Sequence, residues 1–329
     1  MRILVVGGAG YIGSIAVKKL LAAGNQVIVL DALYTGHRKS VDPKAKFYQG
    51  DLQNQFLVSQ ILRNEKIDAV MHFAAYSLVP ESVAKPLKYY DNNVSGMIAL
   101  LTAMKDADVK YLVFSSSAAT YGIPQKLPIT EDSLLNPINP YGDTKAMMEK
   151  IMHWADKADG IKSIALRYFN VAGALSDGSI GEDHSPETHL IPNILRSAVS
   201  GDGQFTIFGN DYDTPDGTNV RDYVQAEDLI DAHLLALNHL VKTNQSDVFN
   251  LGTAHGYSNL EILQAACSVT GKEIPYTIGP RRAGDPDSLV ADSTKARTIL
   301  NWQPRHESAT EIMTSAWTWH QTHPQGYND

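Results

Sequence analysis

Cysteine is almost missing from this chain: Cys267 is the single one in 329 residues, so no intrachain disulfide can form and a reducing compartment is the natural setting. Cys267 lies in the apolar stretch "EILQAACSV", where it reads as a small core residue and not as a nucleophile. Blocks of lysine and arginine are also missing, and the formal net charge is -8, which argues against a nucleic-acid partner held through its phosphates. A chain this acidic needs a local positive site for any anionic ligand. No apolar run approaches the length that spans a bilayer. The opening "MRILVV" reads directly as a strand, without the parts of a signal peptide. These absences predict a cytoplasmic protein with no membrane and no nucleic-acid partner.

What is present is ordinary in amount, with 43% hydrophobic and 19% charged residues, and informative in order. Strand-length apolar runs occur at 3–6, 27–30, 46–50, 69–74, 111–116 and 163–169, with helical stretches between them. Strands alternating with helices at this interval predict βαβ units and an α/β fold: a doubly wound parallel sheet covered on both faces. After about residue 175 the pattern turns irregular, as in "GNDYDTPDGTNVRDY". The expectation is a sheet-based domain over 1–175 and a smaller ligand-binding lobe over 176–329, with stretches such as 226–240 packing back on the first. There is no internal repeat and no low-complexity segment.

"ILVVGGAGYIGSIAVKKLLAAG" places a strand, a glycine-rich turn and a helix in succession. Gly8, Gly10 and Gly13 satisfy G-x-G-x-x-G, and Gly7, Gly10 and Gly13 a related seven-residue pattern. Such glycines let backbone approach a pyrophosphate that the helix N-terminus then holds. The second strand ends in Asp31, eighteen residues after Gly13. A carboxylate there accepts from both adenosine ribose hydroxyls and repels a 2'-phosphate, so NAD is expected over NADP. "GDL" (50–52) and "FAA" (73–75) fall at the carboxyl ends of strands, where ligand crevices form. Asp51 there either reaches an adenine amino group or caps the next helix.

In "NPYGDTK", Asn139 reads as a helix cap and Pro140 as the first helical residue. Tyr141 and Lys145 then stand four apart on one helix face. Taken alone, this spacing fits an exposed pair as readily as a proton-transfer pair.

The motifs "GGAGYIGS", "HFAA", "KPLKYYDNNV", "FSSSAATYG", "NPYGDTK", "LRYFNVAGA", "IFGNDYDTPDGTNVRDY" and "PRRAGD" stand in order along nearly the whole chain. Their sequence resembles the extended short-chain dehydrogenase/reductases and, within them, the UDP-glucose 4-epimerases. The resemblance implies a catalytic set of Tyr141, Lys145 and Ser117. It implies NAD contacts at Gly7, Gly10, Tyr11, Ile12, Gly13, Asp31, Asp51 and Leu52, at Phe73, Ala74, Ala75 and Ser77, and at Asn92 and Phe169, besides the catalytic three. For a UDP-hexose it implies Ser117 and Tyr141 with Asn170, His189, Leu190, Thr206, Ile207 and Phe208, and with Arg221, Tyr223, Arg282, Asp285 and Leu289. It also implies a homodimer. Ser77 departs from relatives that carry lysine there, and His189 from relatives that carry asparagine. His189 is read as a substrate contact and not a metal ligand; the remaining histidines show no metal-ligand spacing, and no metal is expected.

The implied chemistry is transient oxidation at sugar C4 to a 4-keto intermediate and reduction from the opposite face, interconverting UDP-galactose and UDP-glucose. The base would be Tyr141 as phenolate, stabilised by Lys145 and a positive nicotinamide; bringing a phenol from near 10 into the neutral range takes about 4 kcal/mol. Arg221 and Arg282 suit phosphate oxygens. Leu289, where some epimerases carry tyrosine, leaves room for an acetamido group, so UDP-GlcNAc and UDP-GalNAc are expected substrates as well. A sugar-nucleotide 4,6-dehydratase is the competing enzyme, yet Ala118 and Ala119 stand where its acidic pair belongs. A non-catalytic NAD sensor would not need Ser117, Tyr141 and Lys145 together.

Overall fold

A computed structural model describes residues 1–200, 205–282 and 285–328, with Ser200 described by its backbone alone. Ala283 and Gly284 of "PRRAGD" lie outside the described residues. The six expected strands form: β1 (Arg2–Val6), β2 (Gln26–Asp31), β3 (Lys46–Gln49), β4 (Ala69–His72), β5 (Tyr111–Ser115) and β6 (Lys162–Tyr168). Then follow β7 (Asn170–Ala172), β8 (Phe205–Phe208), β9 (Val220–Gln225), β10 (Asp247–Leu251), β11 (Gly256–Ser258), β12 (Tyr276–Gly279) and β13 (Ser288–Leu289).

The main sheet has seven strands in the order β10-β6-β5-β4-β1-β2-β3, all paired in parallel. Its centre is apolar on both faces, as the unbroken runs of Ile, Val and Leu require of strands covered by helices on each side. One face packs on helices Tyr11–Ala22 and Ala226–Thr243, with Leu20, Leu229, Leu240 and Trp302 in the core. The other packs on helices Gln55–Asn64, Gly96–Ala107 and Pro140–Asp159, around Leu62, Leu100, Phe114 and Met148. β10 was not among the expected strands, but it pairs with β6 from Asp247↔Ile164 to Leu251↔Tyr168. Helix Ala226–Thr243 and β10 therefore return the later chain to the first sheet.

A third core gathers helices Leu190–Ser200, Asn259–Thr270 and Ala309–Thr322 around Ile194, Ile262 and Ile312. Cys267 packs against this core, as expected. β9 organises the strands beside it: it pairs with β11 and β13 at one end and with β7 at the other. β8 pairs with β12. Strand order reverses between β1 and β4, which opens a crevice at their carboxyl ends.

Candidate active site

The crevice begins where β1 gives way to the glycine turn. Gly10 precedes helix Tyr11–Ala22 with no side-chain cap, so no side chain covers the helix N-terminus. Gly13 packs so tightly that a Cβ there would lie 2.0 Å from the Gly7 carbonyl oxygen. Gly7, Gly10, Asp31, Asp51, Leu52, Phe73, Ala74, Ala75 and Asn92 line one open cleft. Nine of the residues assigned to NAD are thus brought together.

The others lie around it. Tyr11 donates its hydroxyl to Gly173 O at 2.6 Å, and Ile12 packs into the core below the turn. Ser77 is exposed and does not line the cleft.

Asp31 accepts from the backbone N–H of Ala9 at 2.9 Å and of Leu33 at 2.8 Å. Burial raises its pKa in spite of both bonds. Asp51 accepts from Gln53 N at 2.8 Å and from the Tyr34 hydroxyl at 2.9 Å. It does not cap the next helix; Asn54 does, accepting from Leu57 N at 3.1 Å.

The catalytic candidates come from two elements. β5 delivers the serine-rich loop, and helix Pro140–Asp159 starts against it with Asn139 accepting from Gly142 N at 2.8 Å. The Ser117 hydroxyl accepts from Ala119 N at 3.1 Å, on the loop against which the Tyr141 helix starts. Lys145 is 3% exposed; its Nζ donates to Ser115 O at 2.7 Å and lies 5.9 Å from the Tyr141 ring centroid. The proximity expected from their spacing is therefore present.

Burial raises the Tyr141 pKa, and the nearby Ser117 hydroxyl only moderates it. Burial also drives Lys145 down to about 7, against the pull of Glu149, so its ammonium is much weakened as a partner for phenolate at neutral pH. Burial thus outweighs Lys145 in the protein alone, and the expected phenolate rests also on the nicotinamide charge.

Two contributors escaped sequence reading. Asn93 bonds Tyr76 N at 3.0 Å, Tyr76 O at 3.1 Å and the Thr144 hydroxyl at 3.0 Å, tying the cleft wall to the catalytic helix. Its neighbour Asn92 was singled out, and the doubled asparagine in "DNNV" was the available signal. His72, at the end of β4, lines the cleft with neither ring nitrogen hydrogen-bonded.

Register on β9 assembles four of the substrate-side candidates: Asn170 faces Tyr223, and Leu289 faces Arg221. Asn170 donates to Asp222 O at 3.3 Å, and Tyr223 is buried, which raises its pKa. Arg221 pairs with Asp285, whose other carboxylate oxygen accepts from Asn219 at 2.9 Å. The Arg282 guanidinium stacks 4.4 Å from the Phe208 ring centroid, Ile207 is buried, and Thr206 meets Thr277 at 3.0 Å. Leu289 and Phe169 pack against the small core of Ala118, Tyr121 and Ile129, which begins directly after Ser117. Leu190 packs against the third core.

His189 lies in a cluster with Glu182, His184 and Glu187, whose donor atoms fall within 4.8 Å of one another. The absence of metal-ligand spacing in the sequence thus gave no guide to this arrangement, because one tight loop folds four alternating donors inward.

Residues 3–252 match the NAD dependent epimerase/dehydratase family. The chain belongs to that family. Within it, the chain is 79% identical over all 329 residues to a UDP-glucose 4-epimerase of Lactobacillus helveticus, covering 100% of both. A solved UDP-glucose 4-epimerase from Bifidobacterium longum, in complex with NAD+ and UDP, superposes with a TM-score of 0.93 at 38% identity, with 99% of this chain and 100% of that one covered. The UDP-Glc/GlcNAc 4-epimerase from Campylobacter jejuni gives 0.85 at 40% identity, with 98% and 99% covered. For a member of the NAD dependent epimerase/dehydratase family, the cradle at Gly13, the uncapped helix and Asp31 are groups that fit the cofactor.

Proposed function

We propose that this protein interconverts UDP-galactose and UDP-glucose by inverting sugar C4, with Tyr141, Ser117 and Lys145 as its catalytic residues. The observation that carries the reading is Lys145, buried beside the Tyr141 ring with its Nζ on Ser115 O, at the start of the loop that bears Ser117. The names of the relatives favour epimerisation over dehydration, and so do Ala118 and Ala119, which offer no acid for elimination.

Bound through the glycine turn and Asp31, NAD supplies a reversible two-electron acceptor for sugar C4 and a cationic ring. Tyr141 takes the C4 hydroxyl proton as the carbon is flattened and returns it when the centre is rebuilt. Ser117 orients that proton. Lys145, tied to Ser115 O, holds the phenol in place and favours the phenolate whenever it is itself charged. Arg221 and Arg282 grip the diphosphate, which leaves the sugar free to present either face. Asp285 holds Arg221 ready for that contact.

Leu289 supports a broader substrate range: it lacks the ring of tyrosine and lies beside the Ser117 loop, so N-acetylated UDP-sugars fit our reading. A Leu289→Tyr variant should then lose N-acetylated turnover selectively; a parent kcat/KM for these sugars more than a thousandfold below that for the plain ones overturns the idea. We further propose a cytoplasmic homodimer. No helix of the described residues is long and apolar enough to cross a membrane. Exposed Leu87, Ile98, Met147 and Trp154 supply apolar surface for a second copy. Sedimentation of the protein and of Trp154→Lys tests this, with a monomer in the parent overturning it.

The activity test is direct. Purified protein incubated with UDP-galactose and no added cofactor should yield UDP-glucose by chromatography. Unchanged substrate, or a 4-keto-6-deoxy product, defeats the proposal.

A further inference from the structure

The loop from Glu182 to His189 carries donors in the order Glu-x-His-x-x-Glu-x-His and folds all four inward. His189 Nδ1 lies 2.7 Å from a Glu182 oxygen and 3.3 Å from a Glu187 oxygen. His184 Nδ1 lies 3.3 Å from the same Glu182 oxygen and 3.8 Å from the other oxygen of Glu187, so that carboxylate reaches one histidine with each oxygen. Four ligands about 2.0–2.1 Å from a tetrahedrally coordinated ion stand about 3.3 Å apart, so these separations bracket the requirement.

A second observation points the same way. The Glu187 side chain is 1% exposed. One of its oxygens accepts from Thr188 N at 2.8 Å and His189 N at 2.9 Å, while the other, buried, accepts no hydrogen bond. The buried His184 Nδ1 makes no hydrogen bond either. These two atoms face each other at 3.8 Å, and the Glu187 oxygen faces Arg196 at 4.0 Å, so only long ion pairs serve them where a bound cation would bond both directly.

We propose that Glu182, His184, Glu187 and His189 form a closed, four-coordinate site for Zn2+. Two carboxylates balance the charge of the ion, and two imidazoles supply the nitrogen ligands that Zn2+ favours. With all four positions filled by protein, the ion is structural. It pins the loop beside Tyr11, whose ring meets that of His184 edge-on at 6.4 Å between centroids, and so joins the glycine-turn helix to the segment bearing His189.

The test uses the intact protein with its cofactor, dialysed against a chelator and titrated with Co2+ as a spectroscopic probe. One Co2+ per chain is expected, with the visible bands of a tetrahedral site, and Zn2+ should displace it stoichiometrically. His184→Gln and Glu187→Gln should each weaken binding by at least about 100-fold. NAD released on denaturing each variant reports whether it is folded. Absence of stoichiometric binding by the unmodified protein overturns the site and leaves the four groups as ion pairs. Equal binding by the folded variants also overturns it. Should neither variant fold, titration of the unmodified protein decides.

Discussion

Tyr141 sits where burial opposes the charge that its proposed role requires, and Lys145 beside it is driven down to about 7. The pair was legible from its spacing, but its charge state was not, because desolvation depends on what the rest of the chain packs around it. Tyr141→Phe should keep NAD content unchanged while lowering kcat by roughly 10² to 10⁴. A variant within threefold of the parent refutes the assignment. Asp31 predicts that the protein as purified carries NAD; finding NADP in the denatured supernatant defeats that reading. Two buried histidines make a separate point about acid. Burial lowers His72 to about 3, with Lys145 adding to the effect, and lowers His233 to about 4. An unfolded imidazole titrates near 6.5, so between that pH and about 4 the unfolded chain binds more protons and stability falls as pH falls. His72→Leu should remove about 2 kcal/mol of the loss between pH 7 and pH 5, read from denaturation curves at both.

Helix Pro140–Asp159 shows how an element aims these groups. Its cap and its proline were plain in "NPYGDTK", since capping depends on residues adjacent in sequence. Its seating was not, since that depends on distant partners: Thr144 on Asn93, Lys145 on Ser115 O, and Gly142 on the serine loop. A Cβ at Gly142 would lie 2.4 Å from the Ala119 carbonyl oxygen, so Gly142→Ala must push the helix off the loop that holds Ser117. At least about a tenfold drop in kcat is expected, since small misplacements of reacting groups are costly. Asn139→Ala, which loses only the cap, should instead cost about 1 kcal/mol in thermal unfolding and leave kcat nearly unchanged. Equal kinetic damage from both changes would show that seating is not what matters.

At the scale of the molecule, β10 and helix Ala226–Thr243 complete the sheet and core that the first 175 residues begin. Six strands were legible because strand-length runs, most of them strongly apolar, alternate with helical stretches through the first half of the chain. "DVFNL" was not, being short and paired with a strand about eighty residues earlier. The shared core predicts one cooperative unfolding transition, the same by circular dichroism and by tryptophan fluorescence. A fragment ending at residue 175 should fail to fold, and two separated transitions in the full chain would contradict this. The same topology bears on how the chain is made. β6 is complete at residue 168, but its partner ends at residue 251, 83 residues later. At 5–20 residues per second the ribosome needs about 4–17 seconds to supply it. Throughout that interval the nascent chain holds an open strand edge beside an uncovered apolar face. Such an edge invites pairing with other chains, so a binder that shields it during translation should raise the soluble yield more than one added after release.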